Sequence, residues 1–543
     1  MENGFYKIPD PQNENILDYA PGSREREELQ VEVVRQTNKR LDIPLLIGGQ
    51  EIRTGQIGQS ICPHNHHHIL ADFHQGGPPE VQQAIDAALA AKPAWEAMAW
   101  NERAAIFLKA ADLVSTKYRF TLNASTMLNQ SKNIYQAEID SACELADFLR
   151  FNVGYMQQIY TDQPSNPSPG IWNRSDYRPL EGFIFAVTPF NFTAIAGNLP
   201  TSAAMMGNVV LWKPASTSIL SSWYVMQILR EAGLPDGVIN FIPGPGSKIG
   251  PVILENKHLA GIHFTGSTAV FKHMWQSVAQ NIDRYRTYPR IVGETGGKDF
   301  VFVHSSANIR SAAVALARGA FEYQGQKCSA ASRAYIPRSL WPAIRKELGE
   351  ILIDIGKNTG DPIDFKFYNA VIDEDSFDNV MGYIKQAHDC SEVEIEFGGN
   401  GDKSVGYFIE PTVIVTKNPH YQTMEEEIFG PVLTVFIYED EKFEETLKLC
   451  DTTSPYALTG AILATDRHAV FTATTMLRNA AGNFYINDKP SGAVVGQQPF
   501  GGARNSGTND KAGSRLNLLR WTSPRTIKET IAPPEKYRYP FMG

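Results

Sequence analysis

From Phe183 onward the chain alternates short apolar runs with amphipathic ones, and this alternation restricts the possible folds more than any other feature. Phe183-Ile-Phe-Ala-Val187 is apolar throughout, as suits a strand buried on both faces. Val209–Trp212 reads as the next strand, Ile219–Glu231 as a helix, Val238–Ile242 as a strand, Lys248–Glu255 as a helix and Ala260–Phe264 as a strand. Strands separated by helices imply a parallel sheet with crossover helices. A second alternating region runs from Phe300 to about Tyr485, with strands near Val301, Tyr335, Val432 and Ala461. The expected fold class is therefore α/β, and ligands in such sheets bind beyond the carboxyl ends of the strands.

The upstream part is read as a helical layer that packs on this sheet. Val81, Ile85 and Leu89 recur every four residues behind Pro78 and Pro79, which are tolerated in a first turn. Asn101 is the predicted N-cap of a second helix carrying Ile106, Phe107, Ala110, Leu113 and Val114 on one side. A third helix is expected from about Ile134 to Phe151. Residues 1 to about 40 are polar and are read as a surface wrap or one short helix. Leu45–Gly49 reads as a strand entering a turn. Between Tyr160 and Tyr177, prolines, serines and Asn166 crowd together, which predicts a linker or a protruding arm.

A net charge of −9 argues against nucleic acid or an anionic membrane as the main partner, since both select basic surfaces. No stretch approaches the roughly 20 apolar residues that a membrane span requires. Five scattered cysteines define no disulfide framework and fit a reducing compartment. The segment Met1–Asp10 lacks a charged-then-apolar signal, so an intracellular protein is expected, either in a bacterial cytosol or in a mitochondrial matrix after processing. Cys62-Pro63-His64-Asn65-His66-His67-His68 holds zinc-ligand residue types. Adjacent histidines on an extended segment point to opposite faces, so the segment is read as a solvated loop or edge strand and no metal is expected.

Two segments carry candidate chemistry. Gly325-Gln-Lys-Cys-Ser-Ala330 places Cys328 in a turn-prone setting beside Lys327, and a neighbouring cation favours the nucleophilic thiolate. Upstream, Glu294 sits in the glycine-rich Val292–Lys298. A cysteine nucleophile with a distant glutamate base suits covalent catalysis followed by hydrolysis. A lone cysteine beside a lysine is more often an inert buried thiol, so the case rests on the rest of the chain. Gly244-x-Gly246-x-x-x-Gly250 departs from the strict dinucleotide fingerprint and is weak alone.

Pro189-Phe-Asn-Phe192, Trp212-Lys-Pro214, Phe264-Thr-Gly-Ser267, Glu294-Thr-Gly-Gly-Lys298, Gly325-Gln-Lys-Cys328 and Glu426-Glu-Ile-Phe-Gly-Pro431 resemble the motifs of the aldehyde dehydrogenase family, in the family's order. Gln136–Asp140, Gly482–Lys489, Gly496–Arg504 and Arg520–Pro524 are similar to the branch of that family that acts on L-glutamate γ-semialdehyde. The resemblance implies a Rossmann-type NAD-binding domain, an α/β catalytic domain and a small β oligomerisation arm. It divides the chain into 1–159 (N-terminal part of the NAD-binding domain), 160–178 (arm), 179–298 (NAD-binding domain) and 299–486 (catalytic domain). Residues 487–520 then return to the NAD-binding domain with a substrate loop, and 521–543 form an oligomerisation tail, giving at least a homodimer.

The resemblance also implies chemistry. Cys328 attacks the aldehyde, with the Asn191 side chain and the Cys328 N–H holding the oxyanion. Hydride passes to NAD⁺ and leaves a thioester, which water activated by Glu294 hydrolyses to glutamate, the second step of proline degradation. Thr188, Lys213, Ser216, Gly266, Ser267, Thr268, Glu427 and Phe429 are the implied cofactor residues. Ser216 stands where many NAD-preferring members carry a glutamate, so the choice between NAD⁺ and NADP⁺ stays open. Ser329, Gly492 and Ala493 are implied around the substrate α-carboxylate, Phe192 and Phe500 along its chain, and Glu138 near its α-amino group. Lys327 either adds charge near the carboxylate or tunes Cys328. Two other readings are a dehydrogenase of another acidic semialdehyde and a catalytically silent binding protein on the same fold. The Gly492–Phe500 loop speaks against the first, and retention of Cys328, Glu294 and Asn191 against the second.

Overall fold

A computed structural model describes residue 4 and residues 6–543; Met1–Asn3 and Phe5, part of the polar N-terminal segment, lie outside the described residues. The apolar run Phe183–Val187 is an interior strand, third in order, of a seven-stranded sheet. It pairs in parallel with Leu259–Thr265 on one side and Val209–Lys213 on the other. Arg290–Glu294 flanks the first of these and Ile239–Phe241 the second, again in parallel. The hairpin of Leu45–Ile47 and Gln50–Ile52 closes the edge by antiparallel pairing. Every residue of Phe183–Val187 is buried, which explains why polar alternation is absent there.

A second seven-stranded sheet runs in the order 393–397, 412–416, 432–438, 331–337, 299–303, 459–463, 483–486. Its pairings are parallel except at the edge strand Val393–Phe397. After that sheet the chain crosses back to the first. Thr508 N–H donates to the Gly293 carbonyl at 2.9 Å, and Asn208 Nδ2 donates to the Trp521 carbonyl at 2.9 Å. The proline-rich stretch leads into Ile171–Pro179, which pairs antiparallel with Thr522–Thr530 as a two-stranded arm.

Some local expectations need correction. Asn101 is not an N-cap: the helix spans Trp100–Ser115 with Ala99 at the cap, so Asn101 lies within the first turn. The helix expected from Ile134 to Phe151 extends to Thr161 and contains a π-helical turn at Glu138–Cys143. An additional helix, Arg119–Gln130, sets Phe120, Ala124, Met127 and Leu128 on one face, yet almost every residue in it is buried, polar ones included. Cys62–His68 is neither a loop nor solvated throughout. It is the turn of a hairpin, Ile57–Cys62 and Asn65–His74, and His64 is buried with Nδ1 3.1 Å from Ser131 Oγ and Nε2 3.5 Å from Asp361. Among the described residues no group of His, Cys, Asp and Glu is arranged to hold a metal, and no helix is long and apolar enough to cross a membrane.

Candidate active site

The carboxyl ends of the first sheet's strands converge on one face. Thr188 and Asn191 follow Phe183–Val187, Lys213 ends Val209–Lys213, Gly266 and Ser267 follow Leu259–Thr265, and Glu294 ends Arg290–Glu294. Parallel pairing brings these ends side by side although they are far apart in sequence.

Cys328 comes from the other sheet, just before Ala331–Pro337. The approach to it is left-handed at three successive residues: Tyr323 (φ 52°), Gln324 (φ 53°) and Gly325 (φ 69°). Each non-glycine residue in that region costs about 1–2 kcal/mol, so the turn persists only because its surroundings hold it. Gln324 Nε2 donates to the Ala370 carbonyl at 3.0 Å, and Ile372 N–H donates to Gln326 Oε1 at 2.9 Å. Only glycine fits at 325, because a Cβ there would lie 2.1 Å from the Gly430 carbonyl oxygen.

Cys328 lines two cavities at once. One, of about 1000 Å³, is bordered by Thr188, Asn191, Lys213, Gly266, Ser267, Glu427 and Phe429. The other, of about 400 Å³, is bordered by Phe192, Glu294, Lys327, Ser329, Gly492, Ala493 and Phe500. The thiol therefore faces a large chamber and a small one, as a reaction between two bound molecules requires.

The larger chamber suits a dinucleotide. Lys213 is largely buried, which lowers its ammonium to about 8, and its recorded hydrogen bond is to the neighbouring Pro214 carbonyl at 3.2 Å. Such a donor is placed for ligand hydroxyls. Ser267 caps the helix Thr268–Gln280, whose first-turn N–H groups suit a phosphate. Glu427 lies beyond the end of the short helix Gln422–Glu425, and its Oε1 accepts the Gly297 N–H at 3.0 Å; burial pushes its carboxyl up to about 7. Phe429 has φ 57° and packs edge-on against Phe190 at 5.8 Å. Ser216 and Thr268 do not line this chamber: Ser216 starts the 3₁₀ turn Ser216–Ser218 one residue past the lining Ala215, and Thr268 is buried within its helix start.

The electrostatics around Cys328 overturn one expectation. Lys327 does not activate it, because Lys327 Nζ points to Gln136 Oε1 and sits 3.5 Å from Asp140 Oδ2. Burial, with the Asp299, Glu294 and Glu427 carboxylates adding to it, pushes the Cys328 thiol well above its usual value. Glu294 is itself raised to about 8 by burial, with Lys511 drawing it back and Asp510 raising it further. Lys511 Nζ donates to the Gly482 and Gly501 carbonyls at 2.8 and 3.0 Å, which holds it near Glu294. A carboxyl in this state loses its proton not far above neutrality, which would suit a general base.

A second correction concerns Glu138. It does not line the smaller chamber. Its carboxylate is fully buried and accepts from Arg119, from Tyr19 Oη at 2.7 Å, from Asn123 Nδ2 at 2.6 Å and from the Leu17 N–H at 3.0 Å. Those bonds use it to tie the N-terminal segment to the helices. The carboxylate that borders the chamber from the same helical run is Glu144, which burial, reinforced by Asp140, raises to about 8. Sequence reasoning missed it, because the π-helical turn that Glu138 begins and Glu144 follows, whose extra residue per turn changes which positions share a face, shows only in the structure.

A model of the aldehyde dehydrogenase family matches residues 52–527. The chain is 54% identical over 538 residues to a mitochondrial delta-1-pyrroline-5-carboxylate dehydrogenase of Dictyostelium discoideum, covering 98% of this chain and 96% of that protein. It is 49% identical over 532 residues to the mitochondrial enzyme of the same name from Homo sapiens, covering 98% and 94%. The crystal structure of the delta-pyrroline-5-carboxylate dehydrogenase from Mycobacterium tuberculosis bound with NAD matches with a TM-score of 0.96 at 50% identity, over 100% of both chains. With a family match over most of its length and relatives near half identity, the chain belongs to the aldehyde dehydrogenase family.

Proposed function

We propose that this protein oxidises L-glutamate γ-semialdehyde, the open form of 1-pyrroline-5-carboxylate, to L-glutamate with NAD⁺. The observation that carries the reading is Cys328 at the junction of two chambers, with Glu294 on the smaller one and Asn191 on the larger. The names of relatives near half identity over nearly the whole chain support the substrate.

The residues perform the steps as follows. The Cys328 proton passes to solvent and the sulfur adds to the aldehyde carbon, giving a thiohemiacetal whose oxyanion lies near the Asn191 amide. Lys213, Ser267 and Glu427 hold the dinucleotide, and Phe429 flanks its nicotinamide end. NAD⁺, when bound, supplies the two-electron oxidation by accepting hydride from that carbon. The resulting Cys328 thioester is attacked by water that gives its proton to Glu294, releasing the carboxylate and restoring the thiol. In the smaller chamber, Phe192 and Phe500 flank the aliphatic chain, Ser329, Gly492 and Ala493 meet the α-carboxylate, and Glu144 takes the α-amino role first assigned to Glu138.

Assembly with a second copy is part of the same reading. The arm and the C-terminal tail leave Trp172, Ile531, Tyr537 and Phe541 exposed, an apolar surface that a second chain would cover. Sedimentation of the chain with and without residues 532–543 tests this.

The enzymatic test is initial-rate NADH formation with L-1-pyrroline-5-carboxylate beside succinate semialdehyde and acetaldehyde, with Cys328→Ala as control. The highest kcat/KM with the pyrroline compound and an inactive variant are expected. A preference for another aldehyde overturns the substrate assignment. NAD⁺ binding without turnover of any aldehyde overturns the catalytic one.

A further inference from the structure

The smaller chamber contains a cation to which no role has yet been given. Lys489 borders it on the segment leading into Gly492 and Ala493, and is only partly exposed. The other cations bordering the chamber are committed. Lys327 is engaged by Gln136 and Asp140, and Arg318 Nε donates to Glu322 Oε1 at 2.6 Å. Lys489 Nζ has only a long contact, 3.4 Å to the Ser491 carbonyl, and among the described residues no carboxylate lies within ion-pairing distance of it.

The local backbone holds this ammonium beside Gly492. Gly492 has φ +94°, a left-handed turn that folds the loop back over Lys489. A Cβ at Gly492 would come 3.1 Å from Nζ, so the missing side chain is what gives the ammonium its place beside the loop backbone. Among the described residues the N–H groups of Gly492 and Ala493 donate to no protein acceptor, whereas the next one, Val494 N–H, donates to Gln498 Oε1 at 2.9 Å. Two free N–H groups beside an unpaired ammonium form a receptor for an anion. Ala493 supplies no hydroxyl to that receptor, which leaves Lys489 as its one charged member.

We propose that Lys489 determines the specificity for aldehydes bearing a carboxylate, by charge-assisted hydrogen bonding to that group together with the Gly492 and Ala493 N–H groups. This rests on the substrate reading above for the identity of the carboxylate, but not for its presence. Lys489 touches neither the thiol nor the reacting carbon, so it acts on substrate selection and leaves the chemical step to Cys328 and Glu294.

The test is a charge series at one position, Lys489→Arg, Lys489→Met and Lys489→Glu, assayed with L-1-pyrroline-5-carboxylate, succinate semialdehyde and the neutral aldehyde pentanal. The quantity read is the ratio of kcat/KM for each acidic aldehyde to that for pentanal. Loss of one charged hydrogen bond should lower that ratio by about tenfold or more in the methionine variant. The change should lie in KM rather than kcat. Arginine should restore most of the ratio, and glutamate should lower it below the methionine value. A ratio that does not follow the sign of the charge, or acidic and neutral aldehydes declining together, overturns the proposal; that pattern would mean Lys489 only supports the loop. If the wild-type protein prefers succinate semialdehyde while the charge series holds, the substrate reading falls and the role of Lys489 stands. If methionine at this position prevents folding, the arginine and glutamate variants give the same comparison.

Discussion

The Asn191 side-chain amide donates a 3.0 Å hydrogen bond to the carbonyl of Gln326, two residues before Cys328. One residue comes from the loop after a strand of the first sheet, the other from the turn that precedes a strand of the second. The bond fixes the amide near the nucleophile's turn across the junction of the two layers, so the proposed oxyanion donor is oriented before substrate arrives. Asn191→Ala should lower kcat by about 10²–10³-fold. NAD⁺ affinity, measured by fluorescence titration, should change little. Loss of nucleotide binding with unchanged kcat would contradict this placement.

Glu294 works as a base only when deprotonated, and its carboxyl is raised to about 8. Turnover limited by thioester hydrolysis should therefore climb as the pH rises through about 8. The raised Cys328 thiol adds a rise of the same sign, so the two must be separated. Glu294→Gln keeps the shape and removes the base. It should give a rapid burst of NADH, little steady-state turnover and an acyl adduct on Cys328 visible by mass spectrometry. Steady turnover at the wild-type rate, with the same pH profile, would remove Glu294 from this role.

The two carboxylates at the start of the π-helical turn and just past its end, Glu138 and Glu144, should behave in opposite ways. Glu138→Ala removes one of the two carboxylates that pair with buried Arg119, the other being Glu14, and takes away the acceptor shared by Tyr19 and Asn123, a loss of about 3 kcal/mol. The fall in Tm should be large, and KM for the semialdehyde in the folded fraction should stay near the wild-type value. Glu144→Gln should leave Tm nearly unchanged, or raise it, because a desolvated carboxyl is replaced by a neutral amide. KM should rise about tenfold for the amino-bearing substrate, and much less for glutarate semialdehyde, which lacks the amine. Reversal of these results would return the substrate role to Glu138.

Lys213 is an uncompensated buried cation in the nucleotide chamber. Folding lowers its pKa to about 8, so its cost to stability is fully present below about 8 and shrinks as the pH rises toward the ordinary lysine value. Lys213→Met should raise KM for NAD⁺ while making the nucleotide-free protein as stable as wild type, or more so, at neutral pH. Titration calorimetry and a thermal melt without nucleotide check the two halves. A destabilised variant would show that the ammonium has a protein partner.

Most central strands of both sheets were legible in the sequence because burial on both faces leaves continuous apolar runs such as Phe183–Val187 and Phe300–Val303, whereas Gln50–Ile52, Arg290–Glu294, Val393–Phe397, Thr412–Thr416 and Asn483–Ile486 are not among the strands read from the sequence. The helix Arg119–Gln130 is missing from the sequence reading although Phe120, Ala124, Met127 and Leu128 recur at helical spacing, and no local pattern shows that its polar side, with Asn123, Ser125, Thr126, Asn129 and Gln130, is buried as well. The His64 segment misled for a related reason. Alternation of side chains along an extended chain is right for the hairpin, but it does not reveal that the catalytic-layer residue Asp361 packs over one histidine.

The sequence by itself determined the alternating α/β plan, the strand ends that carry Asn191 and Lys213, and the motifs around Glu294 and Cys328, because these depend on local patterns of polarity and turn residues. It could not decide what faces what. Whether Lys327 or Glu138 points to a ligand or to a buried partner depends on Asp140 and Arg119 being brought close by helix packing. Whether Cys328 meets a cation or three carboxylates depends on how two separately built sheets are pressed together. Charge interactions inside a protein act over a few ångströms of low-dielectric space, and distances of that kind exist only once the tertiary structure has closed.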